Sequence, residues 1–337
     1  MANINDIANE LGLSVTTISR VLNGKATQYR IGKATQLKVK ELAKKLNYVP
    51  NEFAANLRSG KSNTIALSIP TISNPFFGRI ASDLNEELRT MKFMTIFNES
   101  NEDEKIETEA LKKLQSRNIE GLIIAPCSCS SKELQRLYDN GLPIVCIDRY
   151  FEDIEIPYVA TDNFSGGYRA TSYLIENGHR NIACIQGTKF SLPNIRRVEG
   201  YSKAMRDANI NKVYIEGESF DEQNGYLETK LLLQNKERVT AIFTLSNTIA
   251  IGCLKALKEE GVRVPQDMSI ITFDDAPYLE LLSTPITSVA QPLKEISRVA
   301  IKLLLSKLNN EPLTTTQILL KPKIIYRDSV IPFSQMS

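Results

Sequence analysis

Two sets of side chains have types and spacings that could do chemistry. Val15, Thr16, Ser19 and Arg20 fall on one face of a short helical stretch, three small or hydroxylated groups followed by a guanidinium. Such a face suits a DNA major groove, where hydroxyls and a forked guanidinium meet base edges. The second set is spread through the later chain: Asn74-Pro75-Phe76-Phe77, Asp148-Arg149, Arg197, Phe220 and Phe273-Asp274-Asp275. Rings can pack on the apolar face of a small hydroxylated molecule while carboxylates and guanidinium groups bond its hydroxyls, a description that a sugar fits. Taken singly each has an ordinary reading, since an Asp-Asp pair is commonly a turn and an arginine opening a helix is commonly solvated.

The first set needs two helices to present it. Ile4, Ile7, Ala8 and Leu11 recur at i, i+3, i+4 and i+7, the stripe of one helix, with Asn3 placed to cap it. Gly12 follows where a chain leaving a helix turns left-handed, and Ser14 can cap a second helix whose apolar residues are Ile18, Val21 and Leu22. Ile4–Asn23 thus reads as a helix-turn-helix, with an ordinary helical hairpin as the alternative. Charge favours the former. Residues 1–60 hold nine Lys/Arg against four acids, a surplus of five, while the chain as a whole is only +2, so the other residues carry a deficit of three. Positive charge gathers where phosphates would need neutralising.

Beyond a basic loop at Lys25–Ile31, a third helix is expected over Gly32–Asn47, with Val39, Leu42, Ala43 and Leu46 inward. Pro50 ends it. Residues 52–59 are then expected as a two-turn segment capped by Asn51, too short to hold alone, with Phe53, Ala54 and Leu57 apolar, in which Leu57 could wedge into a minor groove or simply belong to a tether. Gly32-Lys33 and Gly60-Lys61-Ser62 are not phosphate loops, because position 55 is Ala55 and no apolar strand precedes either.

At 337 residues and 42% hydrophobic content, the chain can fill a headpiece and a large core. It has no run of about 18 apolar residues and no secretory signal, so a cytoplasmic protein is expected. Five cysteines, an odd number scattered in apolar runs, suit a reducing compartment. Cys127-Ser128-Cys129 with one distant histidine, His179, makes a poor metal set, and no metal or cofactor is expected.

From Thr64 onward, short β-rich runs alternate with helical stretches. Strands are expected at Thr64–Ile69, Phe93–Phe97, Gly121–Ala125, Pro143–Ile147, Asn181–Ile185, Lys212–Ile215, Ala241–Leu245 and Met268–Phe273, with helices such as Phe77–Met91, Ile195–Asn209 and Leu293–Leu308 between them. The alternation predicts an α/β fold of parallel sheets flanked by helices, in two lobes with a cleft at the strands' carboxyl ends.

Residues 1–60, with INDIANELGLSVTTISRVLNG and then NYVPNEFAANLRSG, resemble the headpiece and hinge of the lactose-repressor/galactose-repressor family of bacterial transcription regulators, and the likeness runs on to Ile325-Tyr326-Arg327-Asp328-Ser329. The resemblance implies a helix-turn-helix headpiece over 1–48, a hinge over 49–61, a two-lobed periplasmic-binding-protein-like core over 62–331, crossed three times by the chain, and a tail over 332–337. It implies a homodimer on palindromic double-stranded operator DNA, contacted by Val15, Thr16, Ser19, Arg20, Asn23, Ala54 and Leu57. A small-molecule effector, a sugar or sugar derivative, would lie among Phe76, Phe77, Asp148, Arg149, Asp162, Arg197, Phe220, Asn247, Asp274 and Gln291. Purine-responsive members carry an arginine where this chain has Ser191, with Pro193 two positions on, which disfavours a purine. His179 falls in a turn that the family uses structurally. No C-terminal leucine heptad follows, so a dimer is expected and not a coiled-coil tetramer.

Two other classes compete. A solute-binding transport protein would share the lobes but lack the basic headpiece, and an enzyme using Asp274 and Asp275 as acid and base would need a nucleophile-base pair or a complete phosphate loop, neither of which is present.

Overall fold

The computed structural model describes residues 3–48, 62–235 and 239–336. The hinge segment, with Ala54 and Leu57, lies outside them. Internal contacts divide the chain into one unit up to Ser62 and a second from Asn63.

The first unit is three helices: α1 (Ile4–Leu11), α2 (Val15–Leu22) and α3 (Lys33–Lys45). Asn3 and Asp6 form a reciprocal capping box, Asn3 Oδ1 accepting from Asp6 N at 3.1 Å and Asp6 Oδ2 from Asn3 N at 2.7 Å. Gly12, at φ 61°, closes α1 with a left-handed residue that a side chain would strain, and Ser14 Oγ accepts from Thr17 N to open α2. Ile7, Ile18, Val21 and Val39 are buried to 1% exposure or less and, with Leu42 and Ala43, make the small core. The third helix is shorter than its apolar pattern suggested: Gly32 is its N-cap and Leu46 its C-cap.

The second unit is two lobes of one plan. Lobe A holds β1 (Thr64–Ile69), α4 (Pro75–Thr90), β2 (Met94–Glu99), α5 (Glu104–Ser116), β3 (Gly121–Ile124), α6 (Lys132–Asp139), β4 (Ile144–Ile147) and β5 (Tyr158–Thr161). Lobe B begins with α7 (Asn163–Glu176) and continues through β6 (Ile182–Ile185), α8 (Leu192–Asp207), β7 (Tyr214–Glu216), α9 (Glu222–Gln234), β8 (Ala241–Thr244), α10 (Asn247–Glu259), β9 (Ser269–Phe273) and β10 (Thr287–Ala290). The chain then returns to lobe A with α11 (Leu293–Leu308) and β11 (Gln317–Leu320), and crosses once more to lobe B with β12 (Lys323–Ile325). The strand orders are β11-β5-β4-β3-β1-β2 and β12-β10-β9-β8-β6-β7, so each strand of one sheet has a counterpart in the other. All pairings are parallel except β10 with β12. Apolar clusters cover both faces of each sheet, as parallel strands require.

The expected strands all form, with ends shifted by up to two residues, and α4, α8 and α11 lie where helices were expected. Four strands were not anticipated: β5, β10, β11 and β12. Residues 332–336 are no loose tail, since Phe333 N donates to Asn177 O at 2.8 Å and its ring meets His179. His179 is itself fully buried, its two ring nitrogens 3.0 Å from Thr240 Oγ1 and Ile331 O. Burial lowers its pKa, so it stays neutral and pins the chain end. No helix among the described residues is long and apolar enough to cross a membrane.

Candidate functional site

The cleft is built at the carboxyl ends of both sheets. β4 delivers Asp148 and Arg149, and its counterpart β9 delivers Asp274 and Asp275. Asp148 and Asp274 both adopt left-handed backbone, at φ 60° and 69°. A non-glycine residue there costs about 1–2 kcal/mol, and the same strain at the same place in both lobes marks a surface shaped for contact.

Asp148 and Arg149 come from lobe A, with Phe76 and Phe77 at the start of α4, where Asn74 Oδ1 caps the helix by accepting from Phe76 N. The two rings meet edge to face, centroids 4.9 Å apart. Arg149 is buried and doubly bonded to Glu102, NH1 to Oε2 and NH2 to Oε1, each at 2.6 Å. Burial opposes its charge, but the bonds and attraction to Glu102 outweigh that and raise its pKa. Arg197 enters from lobe B. It does not open its helix, as the sequence suggested, but sits in the second turn of α8, which starts at Leu192. Its Nε donates to Asn163 Oδ1 at 2.8 Å and NH1 to Leu245 O at 2.7 Å, while its guanidinium carbon lies 3.7 Å from the centroid of Phe273. Asp274 is 3.8 Å away. Phe220 follows β7, the strand expected at Lys212–Ile215, and reaches the cleft because Gly187 has no Cβ: one there would lie 2.4 Å from the ring.

Phe76, Phe77, Asp148, Arg149, Arg197, Phe220 and Asp274 line one narrow cavity of about 30 Å³. Asn74, Glu102, Ser191, Pro193 and Ser246 join them there; sequence reasoning missed Glu102 and Ser246 and read Ser191 only as a departure. Asn247 and Gln291 line an adjoining, roomier space of about 490 Å³, which shares Phe76 and Asp274 with the first. Gln291 donates to Asp274 Oδ1 at 2.6 Å and accepts from Thr161 Oγ1 of β5, tying the lobes at their crossing. Asp162 is not brought to either lining; its carboxylate accepts from Ser165 N at 2.9 Å as the cap of α7. Asp148 Oδ1, Arg149 Nε and Ser191 Oγ in the first cavity and Asn247 Oδ1 in the second are buried without a hydrogen-bond partner. Buried polar atoms are rarely left so, and these four belong to residues that line the two adjoining spaces.

Burial pushes the Asp148 carboxyl up to about 6; Arg149 and Arg197 pull it down, Asp274 and Glu102 push it up. Asp274 is also raised by burial, against the pull of Arg197 and a bond from Gln291. A carboxyl raised on folding binds its proton more tightly in the folded chain, so its stabilisation is fully present below the unfolded value near 3.8 and is lost as pH rises through about 6. We expect Asp148→Asn, which stays neutral, to melt higher than the parent at pH 7.5 by the equivalent of about 1–3 kcal/mol, and the gap to shrink as pH falls through about 6 and to close only below the unfolded value near 3.8. Calorimetry across that range checks it; a pH-independent gap would contradict the assignment.

Cys127 is buried beside this region and its thiol is pushed up to about 12, chiefly by burial, so it stays protonated.

In the headpiece, Val15 is 37% exposed and Thr16 is exposed at the start of α2, with Ser19, Arg20 and Asn23 along the same side. Asn23 Nδ2 donates to Ser19 Oγ at 3.1 Å, and the Arg20 guanidinium lies over the ring of Tyr29. Tyr29 was not singled out from the sequence.

A three-helix headpiece with a polar recognition face, followed by two binding-protein-like lobes around a polar cleft, defines the class of ligand-responsive DNA-binding regulators. Comparison with known proteins agrees. The profile of bacterial regulatory proteins of the lacI family matches residues 3–51, and that of the periplasmic binding protein-like domain matches 171–330. The ribose operon repressor of Haemophilus influenzae is 30% identical over 98% of this chain and 99% of its own length. A LacI-family regulator from Enterococcus faecium, solved with bound ribose, superposes with a TM-score of 0.73 at 29% identity, over 80% of this chain and 99% of that one. The lac repressor dimer bound to operator and an anti-inducer shares the fold over 98% of this chain and 99% of that one, with a TM-score of 0.86 at 21% identity. The chain belongs to the lacI family of bacterial transcription regulators, which are not enzymes.

Proposed function

We propose that this chain is a cytoplasmic repressor that binds a palindromic operator as a homodimer and is switched by a sugar or sugar derivative held in the cleft. Val15, Thr16, Ser19, Arg20 and Asn23 read DNA from α2, with Ala54 and Leu57 contributing from the hinge. Phe76, Phe77, Asp148, Arg149, Arg197, Phe220, Asn247, Asp274 and Gln291 bind the effector, while Asp162 caps α7. The observation that carries the reading is the set of buried, unpartnered polar atoms beside the edge-to-face Phe76 and Phe77 rings, which a ligand with several hydroxyls would complete. The relatives' names point the same way, one a ribose operon repressor and another solved with ribose. Pairing of two copies is supported by large apolar side chains left exposed along the edge of lobe A, Met94 and Phe97, and on lobe B, Leu231 and Leu281.

The test is a thermal-shift screen of the full chain against neutral pentoses and hexoses, their phosphates and purine bases. A ligand at 100 times its dissociation constant adds about 2.7 kcal/mol of stability, a shift of several degrees for a unit of this size. We expect a sugar to give it and to change the affinity for operator DNA recovered by selection. A purine that shifts the transition while no sugar does would overturn the ligand class.

A further inference from the structure

Arg20 does not hang free over the recognition face. Its guanidinium carbon is 3.7 Å from the centroid of the Tyr29 ring, a face-on cation-π contact at van der Waals distance. The ring belongs to the turn segment between α2 and α3, and backbone bonds hold that segment in place. Lys25 N bonds Arg20 O at 2.9 Å, Tyr29 N bonds Lys25 O at 3.3 Å, and Ile31 N bonds Ala26 O at 2.9 Å. Ala26, only 4% exposed, anchors the segment in the headpiece core. Tyr29 itself remains 45% exposed, so core packing does not account for a ring at this place. A guanidinium held over an aromatic face keeps N–H donors available to a further partner and loses rotamer freedom before that partner arrives.

We propose that Tyr29 is a positioning residue for base readout: it holds the Arg20 guanidinium over its ring, so that the fork is placed to meet a guanine in the major groove. This rests on the reading of α2 as the recognition helix. The experiment uses the full chain and an operator selected from random double-stranded DNA, with wild type, Tyr29→Ala, Tyr29→Phe and Arg20→Ala titrated on that operator, on its single base-pair variants and across a salt series. Tyr29→Ala is expected to weaken operator binding about 3- to 30-fold and to flatten base preference at the same pair that Arg20→Ala flattens. The slope of affinity against salt should be unchanged, and Tyr29→Phe, which keeps the ring, should match wild type. Melting curves of the variants establish that the headpiece is folded. If Arg20→Ala flattens that preference and Tyr29→Ala does not, the positioning role is overturned while the recognition helix stands. If Tyr29→Ala weakens all sequences alike with a shallower salt slope, Tyr29 meets phosphate and the proposal fails. If Arg20→Ala leaves every base preference intact, the recognition-helix reading itself fails.

Discussion

Arg197→Ala should bind its effector at least about 10- to 100-fold more weakly and no longer switch. Arg197 is the residue through which lobe B reaches the cleft's charged centre: buried to 3% exposure, bonded to Asn163 and Leu245, stacked on Phe273 and paired with Asp274. One hydrogen bond to a charged group is worth about 1.5–3 kcal/mol, which sets the expected loss for a single ligand contact. The damage extends to the apoprotein. Removing one partner of a buried ion pair commonly costs about 3–5 kcal/mol, because the other charge is left uncompensated, and Asp274 would then take up a proton more readily. Arg197→Lys restores charge but not the planar fork and should recover stability better than ligand affinity. Since a ligand shifts an equilibrium only by its differential affinity for two states, loss of binding removes the response. An inducer-type repressor so altered would stay on its operator whatever is added; a corepressor-type one would stay off. Operator titrations with and without the sugar found by thermal shift distinguish these, and a variant with normal affinity and switching would put the effector site elsewhere.

The second large effect is expected from Ile18→Ala. A helical unit of residues 3–48 commands only about 2–7 kcal/mol of total stability, and deleting most of a buried isoleucine costs about 2–5 kcal/mol. Ile18 has 0% exposure at the centre of a core whose other large members are Ile7, Val21 and Val39. The variant headpiece should be largely unfolded, with operator affinity down more than about 100-fold and non-specific DNA binding down with it. The transition of the second unit should be unmoved. Ile18→Val, costing about 0.5–1.5 kcal/mol, should retain most binding. Calorimetry and DNA titration check this together, and full binding by the folded Ile18→Ala variant would show that this core is not what presents α2.

The headpiece was legible because its signals are local: Asn3, Gly12 and Ser14 act on neighbours within three or four residues. The lobes were legible wherever a strand is continuously apolar, as in Ile144–Ile147. Two of the four strands that escaped notice, β11 and β12, have their side chains exposed or half exposed. β11 alternates between exposed and half-buried positions and pairs with β5, and β12, only three residues long, pairs antiparallel with β10. Residues at strand ends, Asp148 and Asp274, could be found by position. Glu102 could not, because its role is to hold Arg149 across 47 positions of sequence, nor Asn163, which holds Arg197 across 34. Asp162 illustrates the reverse error, since matching by resemblance finds a carboxylate but not the Ser165 amide that occupies it.

The three crossings have a consequence for the order of synthesis. Neither lobe is continuous: lobe A lacks an edge strand until Gln317–Leu320 has been made, and lobe B waits for Lys323–Ile325. The headpiece, by contrast, is complete once α3 has emerged. At about 5–20 residues per second, ribosomes leave a lag on the order of tens of seconds in which a nascent chain carries a foldable DNA-reading unit but no finished cleft to govern it. The cleft is thus finished last, by the strands that complete one edge of each sheet.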